Sequence, residues 1–184
     1  MRKILVVVDM QNDFINGALG THEAQLIVKN VVDRINSFDG DIYYTRDTHS
    51  KDYMETMEGK NLPIVHCVEY TDGWKINKEV MNASAGKRVI VIDKPTFGSI
   101  ELADKILEES TSHATGATSS SNDIESITII GLCTDICVIS NAMILKSRFW
   151  ETPIIVDSSC CAGVNPESHK NALEAMKMCQ IKII

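Results

Sequence analysis

Residues 126–138 have the sequence SITIIGLCTDICV, an apolar and largely β-branched run that leads directly into a helical pattern. Residues 126–131 are predicted to form a strand, and the continuous, mostly β-branched run Ile4–Val8 (ILVVV) is typical of a strand that is buried on both faces of a parallel sheet. Thr134 is well placed to cap the helix that follows, and Cys137 then lies near the first helical turn. The stretch therefore predicts a strand–helix unit of an α/β fold.

The same alternation recurs along the rest of the chain. Strands are predicted at 4–8, 41–45, 88–92, 126–131, 153–156 and 181–184, and helices at 22–37, 99–109, 134–146 and 166–179. Strands that alternate with helices indicate parallel βαβ units with helices on both faces of the sheet. We therefore expect one domain, residues 1–184, with a three-layer α/β/α architecture around a mostly parallel, roughly six-stranded Rossmann-like sheet.

Two longer stretches interrupt this alternation. Residues 46–87 form a mixed connection with little periodicity, and a connection of this length inside a compact domain usually carries function. Residues 110–125 are rich in serine, threonine and other small polar residues, which predicts a surface loop.

The composition limits the classes of partner. The net charge is −7 and the basic residues are scattered singly, so a nucleic-acid-binding surface is not expected. No apolar run is long enough to span a bilayer, and Asp9 and Asp13 interrupt the short apolar stretch at the N-terminus. We therefore expect a cytoplasmic protein without membrane association, in which the six cysteines are reduced thiols.

Polar side chains follow most of the predicted strands. Because parallel sheets bind ligands at the carboxyl ends of their strands, these positions are the candidates for a functional site. They are Asp9, Thr45–His49, Lys94, Cys133–Cys137 and Asp157–Cys160.

Three of these residues have the chemistry of a nucleophilic enzyme. A helix N-terminus offers partial positive charge and free N–H groups, which stabilise both a Cys137 thiolate and an oxyanion. Asp9 ends an apolar strand and is suited to accept the thiol proton, and Lys94 is suited to pair with both negative charges. The structural alternatives are a buried core cysteine, a turn-forming aspartate and a solvated lysine, and the residue types alone leave them open.

A second group of residues has the chemistry of a metal site. Asp47 and His49 are two positions apart, so their side chains point the same way on an extended segment, and His66 follows on a later turn. Glu55 and Glu58 lie between them. Two histidines with one or two carboxylates suit Zn²⁺, Fe²⁺ or Mn²⁺, although a surface histidine pair gives the same spacing.

Taken together, three motifs resemble those of the isochorismatase-like cysteine hydrolases, and within them the nicotinamidases. VVVDMQNDF carries Asp9, IDKPTFGS carries Lys94, and GLCTDICV fits the family's nucleophile motif at every fixed position. The resemblance implies that Asp9, Lys94 and Cys137 form a catalytic triad. It also implies a cis peptide bond between Leu132 and Cys133, and an oxyanion hole made by the Cys133 and Cys137 amides.

The resemblance extends to the metal cluster and the substrate. RDTH and VHCV supply Asp47, His49 and His66, with Glu58 as the expected extra ligand and Glu55 as the second choice. The implied cofactor is one divalent transition metal, with Zn²⁺ preferred over Mn²⁺ or Fe²⁺, which holds the pyridine nitrogen of nicotinamide. The expected substrate contacts are Phe14, Leu132 and Phe97. One departure is NLPIVH, which lacks the tryptophan that many nicotinamidases carry before the later metal histidine; Trp74 and Phe97 are candidate replacements.

These motifs predict an amide hydrolase that forms a thioester on its cysteine and releases ammonia from nicotinamide to give nicotinate, a step of NAD salvage. The nearest alternative is a cysteine hydrolase of another small amide or of a ureido or carbamoyl compound. Isochorismatase chemistry, the cleavage of a vinyl ether, needs neither this cysteine nor the metal cluster. A thiol redox protein that uses Cys133 and Cys137, and a non-catalytic metal-binding module, are different classes against which the complete triad argues. We expect a small-molecule substrate and a homo-oligomer.

Overall fold

A computed structural model describes residues 1–111 and 123–184 of the chain. The strands are β1 (Arg2–Val8), β2 (Asp41–Asp47), β3 (Val89–Lys94), β4 (Ile124–Leu132), β5 (Ile154–Ala162) and β6 (Lys182–Ile183). The helices are α1 (Asn12–Ile15), α2 (His22–Ser37), α3 (Met57–Asn61), α4 (Lys78–Asn82), α5 (Ile100–Thr111), α6 (Ile139–Arg148) and α7 (Pro166–Met178). Of the predicted surface loop 110–125, residues 112–122 lie outside the described part of the chain.

The strands form one six-stranded sheet in the order β3-β2-β1-β4-β5-β6. Every neighbouring pair in this sheet is parallel. The chain runs outward from β1 to β3 in one direction and then continues from β4 to β6 in the other. The order reverses between β1 and β4, and α/β sheets bind their ligands at the carboxyl ends of the strands at such a point. The predicted α/β fold is confirmed.

Strand β1 is buried on both faces, as its unbroken apolar sequence predicts. Ile4, Val6 and Val8 pack in a core cluster with residues of α5, α6 and α7. Leu5 and Val7 pack in the opposite cluster with residues of α1, α2 and α4. The sheet is therefore the middle layer of three. Among the described residues, no helix combines the length and the apolar character needed to cross a bilayer.

Most predicted elements are present, and the differences have local causes. Helix α2 covers the predicted residues, and the side chain of Thr21 caps it by accepting a hydrogen bond from the Ala24 N–H at 3.0 Å. Strand β5 continues six residues beyond its predicted end at Val156 because the pairing between β4 and β5 shifts register between Ile129 and Gly131. Residues 157–160 therefore lie inside the strand and not at its carboxyl end.

The beginning of the helix after β4 also differs from the prediction. Residues Thr134–Val138 form a π-helical turn, and α6 begins only at Ile139. Cys133 occupies the N-cap position, and the Thr134 hydroxyl is in hydrogen-bond contact with His169 Nδ1 at 2.8 Å. The prediction that Thr134 caps this helix is therefore wrong, because its hydroxyl binds the neighbouring helix α7.

The long connection 46–87 is ordered by backbone pairing and by Asp13. The His49 N–H donates to the Cys67 carbonyl at 3.0 Å, and the Glu69 N–H donates to the His49 carbonyl at 2.9 Å. The Cys67 N–H in turn donates to the Asp13 carboxylate at 2.7 Å. These bonds fold the connection back on itself, so that His66 comes to lie beside His49.

Candidate active site and metal centre

Lys94 lies at the centre of a buried group of charges at the carboxyl edge of the sheet. Its ammonium nitrogen lies 2.7 Å from Asp9 Oδ2, 3.4 Å from Asp47 Oδ1 and 3.6 Å from Cys137 Sγ. The exposed fractions of the Lys94 and Asp9 side chains are only 1% and 0%. The three residues predicted as a triad from separate motifs are thus brought into contact by the ends of β1 and β3 and the turn after β4.

The backbone of Asp9 leaves β1 in a left-handed conformation, with φ of 45°. Aspartate is among the non-glycine residues that tolerate this region, although it is sparsely populated. The Thr45 hydroxyl, at the end of neighbouring β2, donates to Asp9 Oδ1 at 2.7 Å, while Lys94 pairs with the other oxygen. Both carboxylate oxygens therefore have a partner that favours the charged form.

Cys137 sits in the π-helical turn that follows β4, and its side chain is buried. A cis peptide bond joins Leu132 to Cys133, as the resemblance implies. Gly131 has φ of 114°, and a Cβ on it would lie 2.1 Å from the Val8 carbonyl oxygen. Only glycine fits this close approach, which brings the beginning of the nucleophile turn against the end of β1.

Burial changes the pKa values of the two acidic groups beside Lys94. Desolvation raises the pKa of Asp9, and the Lys94 charge opposes this shift. Desolvation raises the pKa of the Cys137 thiol well above its ordinary value, the Asp9 charge raises it further, and Lys94 again acts in the opposite direction. The resting Cys137 is thus a thiol and not the thiolate expected from the helix N-terminus, because the cost of desolvation outweighs the favourable charges.

The pKa of Lys94 moves in the direction that keeps it charged. Burial alone lowers the pKa of Lys94, but Asp9, Cys137 and Asp47 reverse this effect and raise it. A lysine that stays protonated inside the site supplies a fixed positive charge next to the thiol.

The predicted metal ligands Asp47, His49, Glu58 and His66 form one cluster in which the candidate ligand atoms all lie within 4.8 Å of one another. Nε2 of His49 lies 3.0 Å from Asp47 Oδ2 and 3.6 Å from Glu58 Oε1. Nε2 of His66 lies 3.6 and 3.8 Å from the same two oxygens. Glu58, and not the exposed Glu55, is the carboxylate that joins the cluster.

The geometry and the chemistry of this cluster fit a transition metal. Metal–ligand bonds of about 2.0–2.2 Å hold neighbouring ligand atoms roughly 3–3.6 Å apart, close to the separations found here. His66 Nδ1 is in hydrogen-bond contact with the Ile64 carbonyl at 2.7 Å, so the other ring nitrogen, Nε2, is the one that faces Asp47 and Glu58. Two imidazoles and two carboxylates suit Zn²⁺, Mn²⁺ or Fe²⁺.

The protonation of the cluster follows from its charges. Burial by itself would raise the pKa of Asp47, but hydrogen bonds from His49 and His66 lower it well below its usual range. The pKa of His66 is raised because its bond to Asp47 outweighs desolvation, and the pKa of Glu58 is raised by burial and by the Asp47 charge. Asp47 therefore stays ionised, which is the state required of a carboxylate that binds a metal.

Two aromatic rings border the metal cluster: Phe14, which the resemblance suggested, and Tyr53, which the sequence analysis did not single out. Phe14 packs against His66 with ring centroids 5.6 Å apart. Tyr53 is fully buried and lies against both histidines, with its ring centroid 4.7 Å from that of His49 and 5.0 Å from that of His66. Trp74 has another role, because the Arg46 guanidinium covers its face at 3.5 Å.

The remaining predicted substrate contacts have different surroundings. Phe97 is 43% exposed, and together with Lys94 it lines an open groove of about 500 Å³. Leu132 is fully buried in the core cluster on the α2 face of the sheet. The structure therefore places Phe97 beside the site, whereas the Leu132 side chain is used in core packing.

The candidates Asp157–Cys160 are not part of the site. Asp157 lies inside β5, where one oxygen accepts from the Ser159 hydroxyl at 2.6 Å and the other lies 3.6 Å from Arg34 Nε. This group failed as a prediction because β5 was expected to end at Val156.

Gln11 and Tyr53 are site residues that the sequence analysis missed. The Gln11 side chain is fully buried, accepts from the Asp47 N–H at 2.7 Å and donates to the Asp47 carbonyl at 2.8 Å. It thereby fixes the backbone of a residue that contacts both Lys94 and the metal cluster. The available signal was the position of the polar Gln11 two residues after Asp9, just beyond the apolar strand in VVVDMQNDF, whereas nothing in the sequence marks Tyr53.

Solved structures share this fold over the whole chain. The pyrazinamidase of Pyrococcus horikoshii in complex with zinc is 28% identical, has a TM-score of 0.75, and matches over 100% of this chain and 99% of its own. The N-carbamoylsarcosine amidase of Thermoplasma acidophilum is 26% identical, has a TM-score of 0.74, and matches over 100% of this chain and 95% of its own.

Sequence comparison agrees with the structures. The chain is 23% identical to the nicotinamidase of Saccharomyces cerevisiae over 99% of each protein. The isochorismatase domain model matches residues 3–184. The chain therefore belongs to the isochorismatase family.

Proposed function

We propose that this protein is an amide hydrolase of the nicotinamidase type, in which Cys137, Asp9 and Lys94 carry out the reaction. The observation that supports this most strongly is the position of Asp47. One of its carboxylate oxygens lies 3.4 Å from Lys94 Nζ, and the other lies 3.0 Å from His49 Nε2. A single small substrate is thus able to present its carbonyl to Cys137 and its ring to the metal cluster.

The first half of the proposed reaction forms a thioester. Asp9 accepts the proton of the Cys137 thiol, and the sulfur attacks the amide carbon to form a C–S bond. The backbone N–H groups of Cys133 and Cys137 stabilise the oxyanion. Asp9 then gives its proton to the amide nitrogen, the C–N bond breaks, and ammonia leaves.

The second half releases the acid. Asp9 takes a proton from water, and the water oxygen attacks the thioester carbon. The C–S bond then breaks to release a carboxylic acid, and Asp9 returns its proton to the Cys137 sulfur. Lys94 stays charged throughout, so it stabilises the Asp9 carboxylate and the sulfur whenever either is negative. The raised pKa of Asp9 suits a group that takes up and returns a proton in each turnover.

Asp47, His49, Glu58 and His66 would hold the divalent metal, for which Zn²⁺ is our first choice. When bound, it supplies a Lewis-acid position that a pyridine nitrogen is able to occupy. Phe14 borders the same cluster and offers a ring face to an aromatic substrate.

Hydrolysis of a carbamoyl or ureido compound is the second candidate. Two observations favour it: the similarity to an N-carbamoylsarcosine amidase, and the absence of an aromatic residue in NLPIVH. The triad chemistry would be unchanged, and only the groups that bind the rest of the substrate would differ.

Ammonia release from a panel of amides tests both candidates. The panel contains nicotinamide, pyrazinamide, benzamide and N-carbamoyl amino acids, each assayed with and without added Zn²⁺, Mn²⁺ or Fe²⁺. Benzamide differs from nicotinamide only in lacking the ring nitrogen. If a bound metal holds that nitrogen, we expect kcat/KM for nicotinamide to exceed that for benzamide by about 10²-fold or more.

The results separate the candidates clearly. A nicotinamide-to-benzamide ratio near one would mean that the cluster does not bind the ring nitrogen. Preferential turnover of the N-carbamoyl compounds would establish the second candidate. No ammonia from any member of the panel would refute the amide hydrolase assignment itself.

A further inference from the structure

Asn141 lies on the first turn of α6 and is a fully buried polar residue outside the predicted triad and metal cluster. Its amide nitrogen donates to the Cys137 carbonyl at 2.8 Å and to the Phe97 carbonyl at 3.1 Å. Its amide oxygen accepts from the Ser99 N–H at 3.0 Å. Both ends of the side chain are thus bonded to backbone.

These bonds connect the two segments that hold the reacting groups. Phe97 and Ser99 belong to the loop that directly follows Lys94 at the end of β3. The Cys137 carbonyl belongs to the turn that carries the nucleophile. Asn141 therefore joins the loop that follows Lys94 to the backbone of Cys137, the residue that presents the sulfur.

Core packing alone does not account for an asparagine at this position. A buried amide must have its hydrogen bonds satisfied, and an apolar residue of similar size would fill the same space without that requirement. A satisfied polar group does, however, fix the relative positions of the backbones that it joins. The three hydrogen bonds of Asn141 join two backbone segments in this way, and they satisfy both ends of its amide.

We propose that Asn141 is a positioning residue, which holds the Phe97–Ser99 loop against the nucleophile turn and so fixes the separation of Lys94 Nζ and Cys137 Sγ, 3.6 Å here. The role in turnover rests on the proposed function. The role in the geometry of the thiol does not, because it concerns only groups of the free protein.

Two substitutions distinguish the hydrogen bonds between Asn141 and the Phe97–Ser99 loop, here called the bridge, from its hydrogen bond to the Cys137 carbonyl. Asn141→Ala removes all three bonds. Asn141→Ser retains a hydroxyl able to bond the carbonyl four residues earlier, which is that of Cys137, but it does not reach the loop. Ser147→Ala is the matched control, because Ser147 makes such a bond to the Met143 carbonyl at 2.9 Å on the exposed part of the same helix.

Each variant is assayed well below its melting midpoint, measured by circular dichroism, so that the folded fraction is equal. The readouts are kcat and KM for ammonia release, and the rate at which iodoacetamide modifies Cys137, followed by peptide mass spectrometry. We expect both Asn141 variants to lose about 10- to 100-fold in kcat with KM changed less than about threefold, because misplacement of reacting groups slows the chemical step. Alkylation of Cys137 should slow by about tenfold as the sulfur loses contact with Lys94.

Several results would overturn the proposal. Wild-type kcat in either Asn141 variant would show that the bridge to the loop is dispensable. Unchanged or faster alkylation of Cys137 would show that its contact with Lys94 does not depend on Asn141. If the wild-type protein releases ammonia from no amide, the proposed function fails, and the alkylation rates still decide whether Asn141 positions the thiol.

Discussion

The two edges of the sheet both carry ion pairs, but they expose them very differently. At the amino edge, Arg2 at the beginning of β1 pairs with Asp41 at the beginning of β2, and their side chains are 17% and 20% exposed. At the carboxyl edge, Lys94 pairs with Asp9, and these side chains are 1% and 0% exposed. The same kind of ion pair is thus partly exposed to water at the amino edge and fully buried at the carboxyl edge.

The difference indicates what each pair is for. A buried ion pair pays a desolvation penalty that often exceeds its Coulombic gain, so stability is a weak reason to retain one. Desolvation also raises the pKa of Asp9 and Cys137, and such shifts concentrate at functional sites. The ion pair at the amino edge is partly exposed to water and joins two strands, whereas the buried pair at the carboxyl edge holds the charges that the proposed proton transfer requires.

The largest expected effect at the carboxyl edge comes from removing the proposed nucleophile, Cys137. Cys137→Ala should lower kcat for ammonia release by about 10⁴-fold or more, because no other group forms the thioester. Cys133→Ala is the matched control and should keep a measurable fraction of activity, since Cys133 is proposed to act through its backbone. Near wild-type turnover by Cys137→Ala would show that the reaction is not covalent at this residue.

Removal of a metal ligand should have the next largest effect. His49→Ala should reduce the bound metal from about one per chain to a small fraction and lower kcat/KM for nicotinamide by about 10²-fold. Elemental analysis measures the metal directly, and circular dichroism checks the fold. The control is His22→Ala, an exposed histidine at the beginning of α2. Purified wild-type protein that binds no metal, even after incubation with Zn²⁺, Mn²⁺ or Fe²⁺, would contradict the assignment.

The pH dependence of the reaction tests the ionisation of the buried groups at the carboxyl edge. Asp9 must be ionised to accept the thiol proton, so kcat/KM should fall as the pH falls through the pKa of Asp9. Because that pKa is raised from 3.8, this loss should begin at a higher pH than for an exposed aspartate. Lys94, whose pKa is also raised, should cause no loss of activity below pH 10.5.

The substitution Thr45→Val tests whether Asp9 causes this fall of kcat/KM at low pH, which is called the acid limb of the pH profile. The Thr45 hydroxyl bonds the Asp9 carboxylate and lowers its pKa, so its removal should move the limb to higher pH by about 0.5–1 unit. The candidate metal ligands make no described hydrogen bond to the Thr45 hydroxyl, so a limb caused by one of them should stay at the same pH in Thr45→Val. An unchanged limb in Thr45→Val would mean that another group controls it.

Much of the site was predictable from sequence because its central residues follow directly after apolar strands. Asp9 directly follows β1, Lys94 ends β3 and Cys137 follows β4, and parallel strands bring all these ends to one edge. Asp47 and His49 were predictable for a related reason, since their spacing on an extended segment sets the direction of both side chains.

The residues that the sequence did not reveal make contacts that no local pattern encodes. Asn141 bonds Phe97, which is 44 positions away, and Gln11 bonds Asp47, which is 36 positions away. The sequence around Tyr53 does not distinguish it from other core aromatics, and only the folding of the connection 46–87 places it against His49 and His66. The end of β5 was mispredicted for a similar reason, because a register shift against β4 and not composition extends the strand.

The smallest expected effect belongs to the amino edge. The Arg2 guanidinium bonds Asp41 Oδ2 and the Glu109 carbonyl, each at 2.8 Å. Arg2→Ala should lower the free energy of unfolding by only about 1 kcal/mol, because water and salt replace much of a partly exposed ion pair. Since these groups lie at the opposite edge from Cys137, kcat and KM should stay at wild-type values. Lys3→Ala is the control for loss of a neighbouring positive charge, because Lys3 pairs more loosely, at 3.5 Å from Glu125, and both of these side chains are about half exposed. Chemical denaturation and ammonia release measure the two quantities separately. A fall in kcat in Arg2→Ala with stability preserved would mean that the two edges are coupled through the sheet, and that the division of roles between them is wrong.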